Sequence, residues 1–191
     1  MKDKAPAKQP LLSGDLINLR PLKRADAESL HRYANNSVIA RYLPRMPHPY
    51  SLEDAHKWIR HTRRKVRKRE AYSFGMENRE TGGIIGMTSL DNLRWDDLNA
   101  ELGYWVARPF WRKGFATEAV MLILEFAFGT LGLKRVWALV IEPNEVSSHV
   151  LQKAGFTLEG TWRKARRHGR KWVDIYSYGI LREEFTRRNR N

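Results

Sequence analysis

Residues 106–120, VARPFWRKGFATEAV, run a short apolar segment into a basic, glycine-bearing turn and then directly into a helix. Apolar residues recur at Val120, Ile123, Leu124, Ala127 and Phe128, the i, i+3, i+4 spacing of a core-facing helical stripe. Gly114 therefore stands at a helix N-terminus. The first backbone N–H groups of a helix lack carbonyl partners and the helix dipole is positive there, so this end favours a phosphate. Gly114 and Ala116 let the backbone come close to such a group, and Arg112 and Lys113 add positive charge. Taken alone, the segment fits an ordinary strand-to-helix turn with a packing glycine equally well.

Residues 141–156, IEPNEVSSHVLQKAGF, narrow the choice. Pro143 and Asn144 close an apolar strand over 135–141, and Asn144 suits the N-cap of a short helix through Ser147, Val150 and Leu151 to Ala154. Gly155 ends that helix and Phe156 opens another strand. Upstream, the patterning predicts a strand over 16–20, helices over 25–35 and 52–69, a strand over 72–77, a turn over 79–82, and strands over 83–90 and 101–106. The helix at 52–69 is the most legible of these. Ser51 can cap it with Asp54 three residues on, and Ala55, Trp58, Ile59, Thr62 and Val66 form one stripe. The phosphate-loop helix spans 114–131, and the last strands span 156–160 and 172–181, with residues 163–171 in the loop before the final strand. This order predicts a mixed α/β fold with an antiparallel start and βαβ units late in the chain. The Lys-, Pro-, Ala- and Gln-rich start reads as a flexible basic tail over residues 1–13, ahead of a single domain over 14–191.

With both segments in view, the chain resembles the GNAT superfamily of acetyl-CoA-dependent N-acetyltransferases. That family's pyrophosphate loop is (Gln/Arg)-x-x-Gly-x-(Gly/Ala), and its next helix opens Asn-x-x-Ser or Asn-x-x-Ala and ends in Gly-Phe. LINLRPLKRADAESL, PYSLEDAHKWI, ELGYWV, GFATEA and GRKWVDIYSYGIL follow in the order of the RimJ/RimL-type branch, which acetylates protein N-termini, including those of ribosomal proteins. The resemblance covers roughly residues 14–185. It implies a twisted, mostly antiparallel sheet of about seven strands with one splayed pair, flanked by about four helices. It implies acetyl-CoA on Arg112, Lys113, Gly114, Phe115, Ala116, Thr117 and Asn144, with backbone of Trp105 and Val106 pairing with the pantetheine arm. Ser147 would meet the thioester sulfur and donate its proton. Four positions depart from the pattern: Trp111 and Arg112 stand where the loop carries Gln or Arg and often Gly, Leu151 replaces a common Tyr acid, and Arg166 stands where RimL-like enzymes carry a Glu.

Acyl transfer from a thioester to an amine needs a neutral amine, a polarised carbonyl and a proton for the departing thiolate. An α-amine, with a reference pKa near ~8, is partly neutral at pH 7, whereas a lysine near ~10.4 is almost wholly charged. A weak base therefore suffices for an N-terminal amine. Glu101 would orient or deprotonate it through water, or stand as a rim carboxylate paired with an arginine. Ser147 would act on the thioester or simply cap its helix, Tyr104 and Trp105 read as wall and core, and Asp174 borders the substrate site by resemblance. No His, Asp or Glu set has metal-ligand spacing.

Zero cysteines exclude disulfides, thiolate ligands and a Cys nucleophile, so acetyl transfer would be direct or use another nucleophile. No apolar run approaches the roughly 18 residues of a membrane span and the N-terminus has no apolar leader, so the chain is expected to be cytoplasmic, a monomer or homodimer without a membrane partner. A net charge of +14 exceeds what a CoA site requires. Much of it clusters in residues 60–69, 163–171 and 186–190, which read either as solvated faces or as contacts to RNA, the ribosome or an acidic surface near the acceptor entrance. Three functions follow: an N-acetyltransferase for a peptide or protein N-terminus, including ribosomal proteins; one for an aminoacyl-tRNA or small amino compound; or a CoA- or RNA-binding module without turnover.

Overall fold

The computed structural model of the chain describes residue 2 and residues 5–43 and 46–188. Those residues form one sheet in the order β1-β2-β3-β4-β5-β6-β8-β7. The strands are β1 (Leu12–Ser13), β2 (Ile17–Arg20), β3 (Tyr72–Asn78), β4 (Ile84–Arg94), β5 (Asn99–Val106), β6 (Arg135–Ile141), β7 (Thr157–His168) and β8 (Lys171–Leu181). The helices are α1 (Ala27–Ala34), α2 (Ser37–Tyr42), α3 (Leu52–Arg67), α4 (Phe115–Glu125), α5 (Glu145–Ala154) and α6 (Arg182–Arg188). Among the described residues there are thus eight strands and six helices; the short β1, α2 and α6 are the additions to the expected set.

Alternation along the strands separates two cores. Leu102 and Val106 of β5 face α4, together with Ile85 and Leu90 of β4. Trp105 turns the other way, onto a core built from α1, α3, Ile84 and Met87. As the sequence implied, α3 is capped by Ser51, whose Oγ accepts from Asp54 N at 3.1 Å while Asp54 returns the bond to Ser51 N at 3.0 Å. Its stripe buries Ala55, Ile59, Thr62 and Val66, whereas Trp58 stays 39% exposed and donates its indole N–H to Met87 Sδ. Buried Arg20 ties β2, the start of α1 and β3 together by pairing with Asp26 at 2.8 Å and Glu77 at 2.5 Å. The LRPLKRAD segment is therefore an architectural clasp.

The only parallel neighbours among the described strands, β5 and β6, pair at Asn99↔Arg135, Ala100↔Val136 and Glu101↔Trp137 and no further. Beyond Glu101, β5 follows β4 up to Val106↔Gly86, and β6 follows β8 up to Ile141↔Ile175. The sheet therefore opens into a wedge between Leu102–Val106 and the second half of β6, and main-chain groups on that side of β5 have no strand partner.

Three expectations need correction. Described residues of the supposed tail are anchored: Ala5 is buried, the carbonyls of Ala5 and Pro6 accept from Arg69 Nε and Tyr72 Oη at 2.7 Å, and Leu12–Ser13 pairs with β2. The phosphate-loop helix is α-helical only to Glu125; Phe126–Thr130 continues as a π turn whose extra residue keeps Phe126, Ala127 and Phe128 buried. Residues 163–168 are not a loop but the far half of β7, with Arg166↔Val173, Arg167↔Trp172 and His168↔Lys171 in register with β8.

Candidate active site

The wedge is the back wall of a cleft of about 400 Å³, within the usual range for small-molecule sites. Four pieces of chain enclose it: the end of β5, the turn into α4, the start of α5 and α2. Of the residues singled out in the sequence, Trp105, Val106, Arg112, Gly114, Phe115, Ala116, Thr117, Asn144 and Ser147 line it; Lys113 and Glu101 do not.

Gly114 occupies the N-cap of α4 at φ 87°, a left-handed conformation that favours glycine, and no side chain caps the helix. The first-turn amides of Phe115, Ala116 and Thr117 are thus presented to the cleft, with Arg112 beside them. Lys113 instead places its ammonium over the Phe110 ring, 5.9 Å from the centroid. The exceptional Trp111 has a structural explanation: its indole N–H donates to Val106 O at 2.6 Å and folds the turn back onto β5. Ala107 N donates to Ile85 O of β4 at 2.7 Å, so alternation gives the wedge-facing amide to Val106 and turns the main chain of Trp105 towards β4. Trp105 reaches the cleft as a lining residue only.

Asn144 stands at the N-cap of α5, but its side chain makes no capping bond; its carbonyl accepts from Ser147 N at 3.0 Å. The Asn144 amide remains available to a ligand in the cleft. One turn into α5, Ser147 Oγ lies 2.8 Å from Tyr104 Oη, which also donates to Ser147 O at 3.2 Å. Tyr104 is the residue that sequence reasoning passed over. It follows Gly103 in the ELGYWV strand, on the face carrying Leu102 and Val106, and that alternation was the signal that it points towards α4 and α5. Burial pushes its phenol well above the ordinary tyrosine range, although the hydrogen bond to Ser147 opposes this.

Glu101 sits at the apex of the wedge, the last residue of β5 to pair with β6, on the same face as Trp105. Its carboxylate accepts from Asn92 Nδ2 at 2.5 Å. Among the described residues lining the cleft there is no Asp, Glu or His. Four lining residues, Val38, Ile39, Tyr42 and Leu43, come from α2 and the residue after it. Asn36 caps α2, accepting from Val38 N and Ile39 N, and Tyr42 stacks on His168 of β7 with ring centroids 6.0 Å apart. The β7–β8 hairpin therefore flanks the α2 side of the cleft. Asp174 holds the β7 bulge by accepting from Lys164 N at 2.7 Å and donates its own N–H to Glu142 at 3.3 Å.

The clusters at 60–69 and 163–171 lie at opposite ends of the sheet, contrary to the expectation that both border the acceptor entrance, and the cluster at 186–190 runs beyond the described residues. Helix α3 ends just before Tyr72, at the end of the sheet marked by Leu90 and Asn99, some 16 residues or about 24 Å from its own start. Several of its cations serve the fold: Arg63 donates to Leu22 O at 3.1 Å and Lys65 pairs with Glu70 at 2.9 Å.

Residues 17–157 match the model of the Acetyltransferase (GNAT) domain, and the chain belongs to that family. It is 34% identical over 175 residues to the probable N-acetyltransferase YjcK of Bacillus subtilis, covering 90% of this chain and 97% of that protein. It is 36% identical over 104 residues to the putative ribosomal N-acetyltransferase YdaF of the same organism, covering 54% and 57%. To the spermidine N(1)-acetyltransferase of Escherichia coli it is 27% identical over 149 residues, covering 78% and 76%. Among solved structures, a probable acetyltransferase superposes with a TM-score of 0.82 at 29% identity, covering 92% and 98% of the two chains. The microcin C7 self-immunity acetyltransferase MccE, in complex with acetyl-CoA and AMP, superposes with a TM-score of 0.76 at 25% identity, covering 88% and 93%. No helix among the described residues is long and apolar enough to cross a membrane.

Proposed function

We propose that the chain transfers acetyl directly from acetyl-CoA to the α-amine of a peptide or protein N-terminus. The uncapped start of α4 with Arg112 suits a pyrophosphate, the unpaired wedge side of β5 suits an extended amide-bearing arm, and the MccE likeness supports acetyl-CoA in particular. Acetyl-CoA would supply the activated thioester; the protein holds both partners and moves protons. Ser147 gives its hydroxyl proton to the departing sulfur. Glu101, on the opposite face at the wedge apex, orients the amine and takes its proton through water.

The observation that carries the choice of acceptor is the cleft lining itself. With no carboxylate or imidazole among its described residues and with apolar α2 as one wall, the cleft fits an amine that is already partly neutral and has an uncharged neighbour. Spermidine, with several charged amines, would meet no countercharge among those lining residues. The hairpin adds a second element to the reading. Among the described residues, Arg163, Lys164, Arg166, Arg167, Arg170 and Lys171 enter no ion pair, and the flanking Trp162 and Trp172 are 52% and 62% exposed. Unpaired cations interleaved with exposed aromatics favour a phosphate-bearing surface beside the acceptor, such as RNA at a ribosomal protein.

Release of the CoA thiol with three acceptors tests the proposal: a short peptide with a free N-terminus, spermidine, and an aminoacyl-tRNA. The peptide is expected to turn over with little salt dependence and spermidine to be inert. If the hairpin engages RNA, kcat/KM for the aminoacyl-tRNA falls as salt rises, with a log–log slope of roughly −0.7 to −0.9 per phosphate contacted. Preferential turnover of spermidine would overturn the α-amine reading, and salt-insensitive use of the tRNA would remove the hairpin from acceptor binding.

A further inference from the structure

We propose that Tyr104 is a positioning residue that steers the Ser147 hydroxyl between a resting and a proton-donating orientation. The inference rests on the reading of Ser147 as proton donor to the leaving thiolate. One phenol proton faces two acceptors, Ser147 O at 3.2 Å and Ser147 Oγ at 2.8 Å. Two arrangements satisfy both hydroxyls. In the first, Tyr104 donates to the Ser147 carbonyl and Ser147 donates to Tyr104 Oη, so the serine proton points away from the cleft. In the second, Tyr104 donates to Ser147 Oγ and the serine proton is free to point into the cleft. The exchange needs only rotation about two C–O bonds, and no heavy atom moves.

The chemistry selects the second arrangement at the moment it is needed. Transfer forms a C–N bond and breaks a C–S bond, and the proton lost by nitrogen is balanced by the one gained by sulfur. As charge grows on sulfur, an outward-pointing Ser147 O–H is stabilised, and as that proton leaves, the Tyr104 O–H stabilises the negative charge developing on Oγ. The amine's proton passes through water to Glu101 and on to solvent, and Ser147 regains a proton from solvent, so Tyr104 ends as it began. Burial favours this role, because a phenol held above its ordinary range stays a neutral donor through the neutral pH range. Among the described residues no side chain on α5 bonds to Ser147, and Leu151, one turn on, is apolar and fully buried.

Tyr104→Phe keeps the ring and deletes the switch. Its kcat is expected to fall about tenfold, the effect of one lost hydrogen bond expressed in the transition state, while CoA affinity by calorimetry and KM for acetyl-CoA stay at wild-type values. In the double variant Tyr104→Phe/Ser147→Ala, kcat is expected to match Ser147→Ala alone, since Tyr104 acts only through Ser147. Additive losses, or a wild-type kcat in Tyr104→Phe alongside a slow Ser147→Ala, would overturn the inference and leave the Ser147 reading standing. A wild-type kcat in Ser147→Ala would defeat that reading instead. If Tyr104→Phe melts early, a fluorotyrosine placed at 104 alone retains shape and hydroxyl; the expected result is an alkaline fall in kcat displaced to lower pH, and an undisplaced profile would count against the switch.

Discussion

Ser147→Ala is expected to lower kcat by about 10²- to 10⁴-fold, the usual contribution of a positioned proton donor, while CoA affinity changes little. The asymmetry follows from when the contact matters. A thioester sulfur is a poor acceptor and a thiolate a good one, so the Ser147 hydroxyl is worth more in the transition state than in the ground state. Removing it leaves Tyr104 still satisfied by the Ser147 carbonyl, so α5 should not unravel; the calorimetric and circular dichroism signatures of the variant should be those of the parent. A kcat within a few-fold of wild type would reduce Ser147 to a helix residue and mean that the thiolate leaves unaided.

Gly114→Asp is expected to weaken CoA binding by about tenfold to hundredfold. The variant sets a carboxylate at the helix end that the cofactor's pyrophosphate would share, and two like charges roughly 5 Å apart at an effective dielectric near 20 repel by about 3 kcal/mol. Backbone strain contributes separately, because Gly114 lies at φ 87° and a Cβ there would sit 3.3 Å from Leu16 Cδ1. Gly114→Asn makes the same conformational demand without the charge and is expected to keep most of the affinity. Equal CoA affinity in all three proteins, folded by circular dichroism, would move the pyrophosphate away from α4.

The elements proposed to hold the cofactor, and the capped helix α3, were legible because local signals and tertiary packing agree there. The strand at 135–141 runs as expected, Ser51 caps α3, and the basic turn leads into a helix whose apolar stripe is buried. The side proposed for the acceptor was less legible. Helix α2 has six residues, too few for periodicity to register, and its one local signal is Asn36 ahead of Ser37. The far half of β7 was read as a loop because its side chains are nearly all cations and carry no apolar alternation; it is a strand because β8 supplies a main-chain partner. Tyr104 was taken for wall because alternation puts it on the face of Leu102 and Val106 but does not say that Ser147 of α5 meets it there. Glu101 was correctly put on that strand, but its bond from Asn92 comes across a turn with a register shift that no periodicity predicts.

The most direct test of the central claim is the pH profile of kcat/KM for acetylation of two peptides whose α-amines differ in pKa. If the cleft takes a neutral α-amine, the acidic limb belongs to the acceptor. The inflection should then lie near ~8 for an ordinary peptide and move with the amine when the second peptide is used. An inflection that stays fixed when the acceptor changes would show that an enzyme group sets the protonation state, and would contradict the account.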